Sequence, residues 1–346
     1  MRIARKSREV MAFLKAANIG ERVVIVLHDN PDPDCIAAGF VLKRLFESQY
    51  GRKVQIAYRG LIGRAENRRM VELIGVAMER LNVFKPDAQD FVVSVDCQPG
   101  SGNSILGAEA RVDLILDHHP RRRTARRAGF ADIRHGYGAT STIALEYLML
   151  HGLEPTRLEA TALFYAIKTE TQDLGREACP ADRRAYFHLF RKIDFALLSE
   201  ILQAQVPRDY FIMLNRALEN ATVHSDVLIT ALGDIEAAEH VAEVADMLLR
   251  LKNIGWTFVT GRAGGALYLS MRTRYRDVDA GRLMQKLLHG LGSGGGHEMM
   301  AGGRIDAKDM PHSVEVLESD LSARLLKLLK KRALGSGLLP EEGKEG

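Results

Sequence analysis

Three groups of acids and imidazoles each follow directly on an apolar run. His28, Asp32 and Asp34 follow residues 23–27, Asp96 follows 91–95, and Asp117, His118 and His119 follow 112–116. Imidazole and carboxylate together suit Mn2+, Fe2+ or Zn2+ better than Mg2+ or Ca2+, which prefer all-oxygen shells. The donors outnumber what one closed tetrahedral zinc requires. A pair of divalent metals about 3.5–4 Å apart, sharing a bridging carboxylate, would use them naturally. Such a pair holds a hydroxide and clamps a phosphate for in-line attack. Asp96, alone at the tip of the middle run, is the natural bridge. Each residue taken singly has a plainer reading: a loop histidine, a turn or helix-capping Asp, an acid that ends a strand. Their shared position at the ends of three runs makes the metal site the better joint reading.

These groups need a scaffold that brings three chain segments to one edge. Residues 23–27, 91–95 and 112–116 are near-continuous apolar stretches, the mark of strands buried on both faces. Residues 53–58 form a shorter one. Helical segments are predicted over 7–17, 35–48, 67–74 and 158–168. Alternating strands and helices imply an α/β fold with a parallel sheet, whose sites gather outside the carboxyl ends of the strands. Pro31 and Pro33 make the first acidic loop stiff. Behind the helix at 158–168 comes Thr169-Glu170-Thr171-Gln172-Asp173, which could add one more carboxylate.

Residues 180–222 read as helical, and a second alternation begins at Asp226. Strands are predicted over 227–232, 256–260 and 266–271, and helices over 237–251, 278–288 and 314–331. Between the last two helices, Gly294, Gly295, Gly296 and His297 lie in a stretch with six glycines between Gly292 and Gly303. Glycines let a backbone approach a ligand and leave N–H groups to meet phosphate. His297 could add a proton donor or a hydrogen bond to a base. The plainer alternative is a flexible loop. The boundaries that follow are 1–185 for a metal-binding catalytic domain, 186–222 for a helical connector, 223–333 for a smaller substrate-binding domain and 334–346 for a disordered tail.

The 346 residues are 46% hydrophobic and 27% charged, which fits a soluble chain of more than one core. A formal charge of +4 and a pI near 8.9 are compatible with a phosphate-bearing ligand without proving one. Cys35, Cys97 and Cys179 show no paired spacing and read as reduced cytosolic thiols. No apolar run is long enough for a membrane span, and no signal peptide is read at the N-terminus. The expected location is the cytoplasm, with no membrane partner. Arg121, Arg122, Arg123, Arg126 and Arg127 follow the third group, and are either a solvated face or a device that steers anionic substrate. Few aromatics interleave with them, which favours a short substrate over a long single strand.

His28-Asp-Asn-Pro-Asp-Pro-Asp34, Val95-Asp96, Asp117-His118-His119-Pro120 and Gly294-Gly-Gly-His297 together resemble the DHH phosphoesterases with a C-terminal DHH-associated domain. The likeness is greatest to the branch of nano-RNases (oligoribonucleases), 3′-phosphoadenosine-5′-phosphate phosphatases and dinucleotide phosphodiesterases. The resemblance implies a parallel-sheet DHH domain and a smaller α/β domain, with a cleft between them. It makes His28, Asp32, Asp34, Asp96 and His118 metal ligands, Asp117 the residue that orients a histidine, and His119 a contact to phosphate. The family's fourth motif reads Thr-Asp-Thr; here Glu170 takes the ligand position, with Asp173 as a substitute close by. Arg272 resembles the substrate-binding arginine, although Arg274 and Arg276 are near. The implied cofactor is two divalent metals, Mn2+ foremost. The implied partner is a short RNA or DNA oligonucleotide or a dinucleotide, and a homodimer is compatible. The alternatives are an inorganic pyro- or polyphosphatase and a non-catalytic nucleotide sensor.

Overall fold

The computed structural model describes residues 5–296, 298–310, 313–332 and 335–339. The chain divides into two compact units, 1–204 and 205–346.

The first unit contains α1 (Arg5–Ala16), β1 (Arg22–Leu27), α2 (Pro33–Tyr50), β2 (Lys53–Tyr58), α3 (Ala65–Ile74), β3 (Glu79–Arg80), β4 (Phe91–Val95), β5 (Leu114–Asp117), β6 (Phe130–Ile133), α4 (Thr140–Leu150), α5 (Arg157–Glu170), α6 (Pro180–Phe190) and α7 (Phe195–Leu202). Its six strands lie in the order β3-β2-β1-β4-β5-β6, and every pairing is parallel. The near-continuous apolar runs are explained by burial on both faces. Val23, Ile25 and Leu27 pack with α2, α4 and α5, while Val24 and Val26 pack with Leu106, Val112 and Ala125.

From β1 the chain goes to β2 on one side and later to β4 on the other. The strand order therefore reverses between β1 and β4, the point at which sheets of this kind place their sites, outside the carboxyl ends. Register sets the level of what leaves those ends. Leu27 pairs with Val95 and Val95 with Leu116, so His28, Asp96 and Asp117 emerge side by side. The strand β6 and the helix α4 were not anticipated from the sequence.

The second unit contains α8 (Arg208–Glu219), β7 (Thr222–His224), β8 (Val227–Asp234), α9 (Glu239–Leu248), β9 (Trp256–Ala263), β10 (Ala266–Thr273), α10 (Ala280–Leu287), β11 (Ser293–Gly296), β12 (Met300–Asp306), α11 (Val314–Leu328) and β13 (Ser336–Gly337). The sheet order is β11-β12-β10-β9-β8-β7-β13, with β8 and β9 parallel and the other pairs antiparallel. The stretch expected as a connector is split, since α6 and α7 lie in the first unit and α8 in the second. Of the expected tail, Ser336 and Gly337 pair with Val223 and Thr222, while 334 and 340–346 lie outside the described residues.

The glycine-rich stretch forms part of this sheet. Gly294 and Gly295 pair with Gly303 and Gly302. Gly281 on α10 lies so close to this strand that a Cβ there would stand 2.5 Å from the Gly296 carbonyl oxygen. Helix and strand therefore touch backbone to backbone, which only glycine permits. No described helix is long and apolar enough to cross a membrane.

Candidate metal centre

Asp96 stands at the centre. It follows the last residue of β4 and takes a left-handed backbone, φ 58°, which turns its side chain in above the strand ends. Its Oδ2 lies 3.6 Å from His28 Nε2, and its Oδ1 lies 3.6 Å from both His118 Nε2 and His119 Nδ1. The two oxygens of one carboxylate thus face two separate sets of imidazoles. Thr140, the first residue of α4, donates its hydroxyl to Oδ1 at 2.7 Å and holds the group in place.

On the β1 side, His28 Nδ1 meets the Asp29 carbonyl at 2.8 Å, which directs Nε2 at the acids. Asp32 lies 3.4 Å from that Nε2. Asp32 also caps α2, since its Oδ1 accepts from Asp34 N at 2.9 Å and Cys35 N at 3.1 Å. One side chain therefore both caps α2 and faces His28 Nε2. His28, Asp32 and Cys35 offer donor atoms within 4.8 Å of one another. Cys35 was not anticipated at the site. It is fully buried, and burial raises its pKa, so by itself it is a thiol.

Asp34 is buried and held by the start of α4. Thr140 N donates to one oxygen at 2.7 Å and Ser141 N to the other at 2.8 Å. Each carboxylate oxygen has a second lone pair, so this grip orients the group without using up its capacity for a cation. Burial first, and Asp96 next, push the Asp34 pKa well above the usual range.

On the β5 side, His118 Nδ1 meets the Tyr137 carbonyl at 3.0 Å, and its Nε2 faces Asp96. His119 Nδ1 lies 2.8 Å from Asp117 Oδ1. Asp117 in turn accepts from Gln98 Nε2 at 2.6 Å, and Gln98 Oε1 accepts from Arg122 N at 2.8 Å. Gln98 thus ties the exposed arginine loop to the site. Burial opposes ionisation of Asp117, but the hydrogen bonds and charge of His119, with the Gln98 hydrogen bond, together lower its pKa to about 2. Burial likewise opposes charge on His119, while Asp117 and Asp96 raise its pKa to about 10. Asp96, His118 and His119 form a second three-residue group within 4.8 Å.

Glu170 ends α5. Burial raises its pKa, and Asp32 and Asp96 add to the rise. Asp173 is not brought there. Residues 172–174 all take left-handed φ, of 47°, 54° and 65°, and the turn carries Asp173 to an ion pair with Lys168 and to Tyr186 Oη at 3.3 Å.

In the second unit, Arg272 Nε pairs with Asp246 at 2.8 Å, and its Nη1 donates to Ser270 Oγ at 2.9 Å. Arg272 lies opposite Met300, where β12 leaves the glycine hairpin. Arg274 donates to the Leu249 carbonyl. His297 lies outside the described residues.

Residues missed from the sequence are Cys35 and those that hold the candidate ligands: Gln98, Tyr137, Thr140 and Ser141. The one available signal was Thr140-Ser141-Thr142 opening an apolar helix, a pattern suited to a helix start.

Two family models match the chain. The DHH family N-terminal domain covers residues 22–167, and the DHHA1 domain covers 224–323. An uncharacterized protein of Methanocaldococcus jannaschii is 31% identical over 314 residues, 89% of this chain. The chain spans 64% of that relative's length. An exopolyphosphatase-related protein from Bacteroides fragilis has a similar fold, with a TM-score of 0.68 at 15% identity, over 95% of this chain and 97% of that one. RecJ in complex with Mn2+, from Thermus thermophilus, gives a TM-score of 0.54 at 17% identity, over 95% of this chain and 55% of RecJ.

Proposed function

Because the chain belongs to the DHH family, with a DHH N-terminal domain followed by a DHHA1 domain, we propose that it is a divalent-metal phosphoesterase. Its substrates are short oligonucleotides, dinucleotides of the pApA kind or 3′-phosphoadenosine-5′-phosphate. The observation that carries this reading is Asp96, whose two oxygens each face different imidazoles at 3.6 Å. That is the arrangement a bridging carboxylate needs. The donor chemistry fits a pair of such ions: mixed imidazole and carboxylate, with Mn2+ preferred over Mg2+. His28, Asp32, Asp34, Asp96, His118 and Glu170 would hold them. Bound there, divalent ions neutralise phosphate charge and acidify water.

The chain's own groups do the rest. Asp117 fixes His119 through Nδ1 and favours its protonated form, so the imidazolium offers a proton and a charge to a phosphate oxygen. The exposed Arg121, Arg122 and Arg123, tied back through Gln98, attract the anionic substrate. The assay that tests the reading supplies purified protein and Mn2+ with pApA, 3′-phosphoadenosine-5′-phosphate and pyrophosphate in parallel. Nucleotide release from the first two is expected. Turnover of pyrophosphate alone, or tight nucleotide binding with no turnover of any substrate, would overturn it.

Two expected results follow from the site's make-up. The first concerns the fourth motif. Glu170→Gln lowers kcat by about tenfold to a hundredfold, the usual cost of disturbing a metal's coordination. Asp173→Asn leaves kcat within about twofold, because it touches only a surface pair with Lys168 and the Tyr186 hydroxyl contact. Steady-state rates on pApA for the two variants check this, and the reverse order would move the ligand to Asp173.

The second concerns pH. The pKa values of Asp34 and Glu170 are raised in the metal-free fold, by burial first and then by acidic neighbours. Protonated, they stabilise that fold, fully so below the ordinary carboxylate value near ~4. This contribution disappears as pH rises through their raised values. Divalent ions must displace those protons, so affinity climbs as pH rises. The Mn2+-induced gain in Tm is therefore larger near pH ~8 than near pH ~5.5. Thermal unfolding across that range reads it directly.

A further inference from the structure

Away from the metal centre, the exposed face of α6 combines cations with aromatic rings. Arg183, Arg184, Phe187, His188 and Arg191 line a surface pocket of about 330 Å3, at the small end of the range for ligand sites. Phe187 is 62% exposed, and Phe190 and Phe195 close by are 46% and 58% exposed. Large rings this open to water are costly unless something covers them.

The rings are fixed in place. Phe164, itself buried, packs against Tyr186 with centroids 4.4 Å apart and planes tilted by 44°, and Tyr186 meets Phe187 edge-on at 5.6 Å. Phe164 also contacts Phe190 at 5.9 Å, and Phe190 meets Phe195 at 5.4 Å. Phe187 is therefore a rigid platform, anchored through Tyr186 to the core, with an open face.

The residues that line the pocket include three arginines and no acid. Among the described residues, Arg184 and Arg191 have no acidic partner, and Arg183 makes one long bond, 3.4 Å, to the Ala178 carbonyl. The nearby acid, Glu154, is engaged by Lys192 and lies 3.7 Å from His188. An apolar protein partner would leave these guanidinium groups to be desolvated without compensation. A strand of phosphates and bases satisfies both features, because guanidinium groups take phosphate and an open ring takes a base.

We propose that the exposed face of α6 is a second nucleic-acid site, which holds a single-stranded oligonucleotide by its phosphates at Arg183, Arg184 and Arg191 and stacks a base on Phe187. The choice of nucleic acid among polyanions rests on the phosphoesterase reading; the pocket and its residues do not. The site extends the range of the protein from dinucleotides to longer strands.

Fluorescence anisotropy tests it, with the full chain in EDTA and labelled single-stranded RNA and DNA of about twelve nucleotides, within the span of one such groove. Phe187→Ala weakens binding at least about fivefold, the smaller end of the stacking effect. Arg183→Ala/Arg184→Ala/Arg191→Ala also weakens it, and reduces the slope of log K against log salt by about 2, at about 0.7 for each phosphate released from a single strand. Both variants hydrolyse pApA with Mn2+ at the parent rate. The RNA and DNA arms show which sugar is preferred. Parent-like affinity and slope in both variants overturn the proposal. So does a parent chain that self-associates through this face, seen as a dimer by light scattering that Phe187→Ala converts to monomer. Oligonucleotide binding that depends on α6, in a protein with no turnover of any substrate, would retain this site and remove the hydrolytic reading.

Discussion

Asp96→Asn should lower hydrolysis of pApA by about three orders of magnitude or more and abolish the stabilisation of the fold by Mn2+. The substitution replaces one carboxylate oxygen by an amide nitrogen and removes the charge. Either oxygen can become the nitrogen, and each faces imidazoles, Oδ2 towards His28 and Oδ1 towards His118 and His119. A carboxylate that would bridge two cations there would therefore lose that capacity whichever way the amide turns. Charge stabilisation of this kind is worth several kcal/mol, and each ~1.4 kcal/mol is a tenfold change in rate. The fold itself should survive. Asn is close in shape, and it is among the few residues that tolerate the left-handed backbone of position 96. Far-ultraviolet circular dichroism and the metal-free Tm should match the parent. The Tm gain on adding Mn2+, about 2.7 kcal/mol of stabilisation at a hundredfold excess over Kd in the parent, should vanish. A rate within tenfold of the parent, or an unchanged Mn2+ response, would remove Asp96 from the bridging position.

The strands that carry the ligands were legible because burial on both faces writes a near-continuous apolar run, and 23–27, 91–95 and 114–116 are such runs. Their convergence was legible because parallel sheets deliver their loops to one edge. What holds the ligands was not legible. Thr140 and Ser141 reach Asp34 and Asp96 across more than forty residues of sequence, and backbone N–H groups, which leave no trace in residue type, do much of the holding. Tyr137 acts on His118 through its carbonyl, so its side chain says nothing of that role. Asp173 misled for a related reason. The left-handed turn that carries it away from the site is set by residues 172–174, none of them glycine, and nothing in their types announces it. In the second unit the glycines suggested a loop near a ligand, while the close approach of Gly281 to Gly296 shows a helix seated directly on a strand.

The same distant support makes a second large effect predictable. Behind His118 lies a buried polar network. Arg134 donates to Asp132 through Nε at 2.9 Å and Nη2 at 2.6 Å, and to Glu146 through Nη1 at 2.7 Å. Ser7 Oγ and Tyr147 Oη complete it, at 2.6 Å to Glu146 and 2.7 Å to Asp132. Asp132 and Glu146 are fully buried, and Arg134 pairs with both, while Lys6 reaches only Asp132, at 3.9 Å. Arg134→Met fills most of the volume but leaves those carboxylates without their main partner. Breaking a buried pair in this way costs about 3–5 kcal/mol, which for a domain of this size lowers Tm by roughly 10 °C. Arg134→Lys keeps the charge but loses the planar fork, and should fall between the two. The loss should also reach the metal centre. Tyr137, whose hydroxyl donates to Glu146 at 3.1 Å and whose ring lies under the Arg134 guanidinium, presents the carbonyl that orients His118. Mn2+ affinity in Arg134→Lys, a variant that still folds, should therefore fall by about tenfold to a hundredfold, the range for residues that orient a ligand. Denaturant unfolding gives the first quantity and Mn2+ titration of the folded variant the second. Parent-like stability in Arg134→Met would show that the two acids find other partners, and parent-like Mn2+ affinity in Arg134→Lys would show that the His118 orientation does not depend on this network.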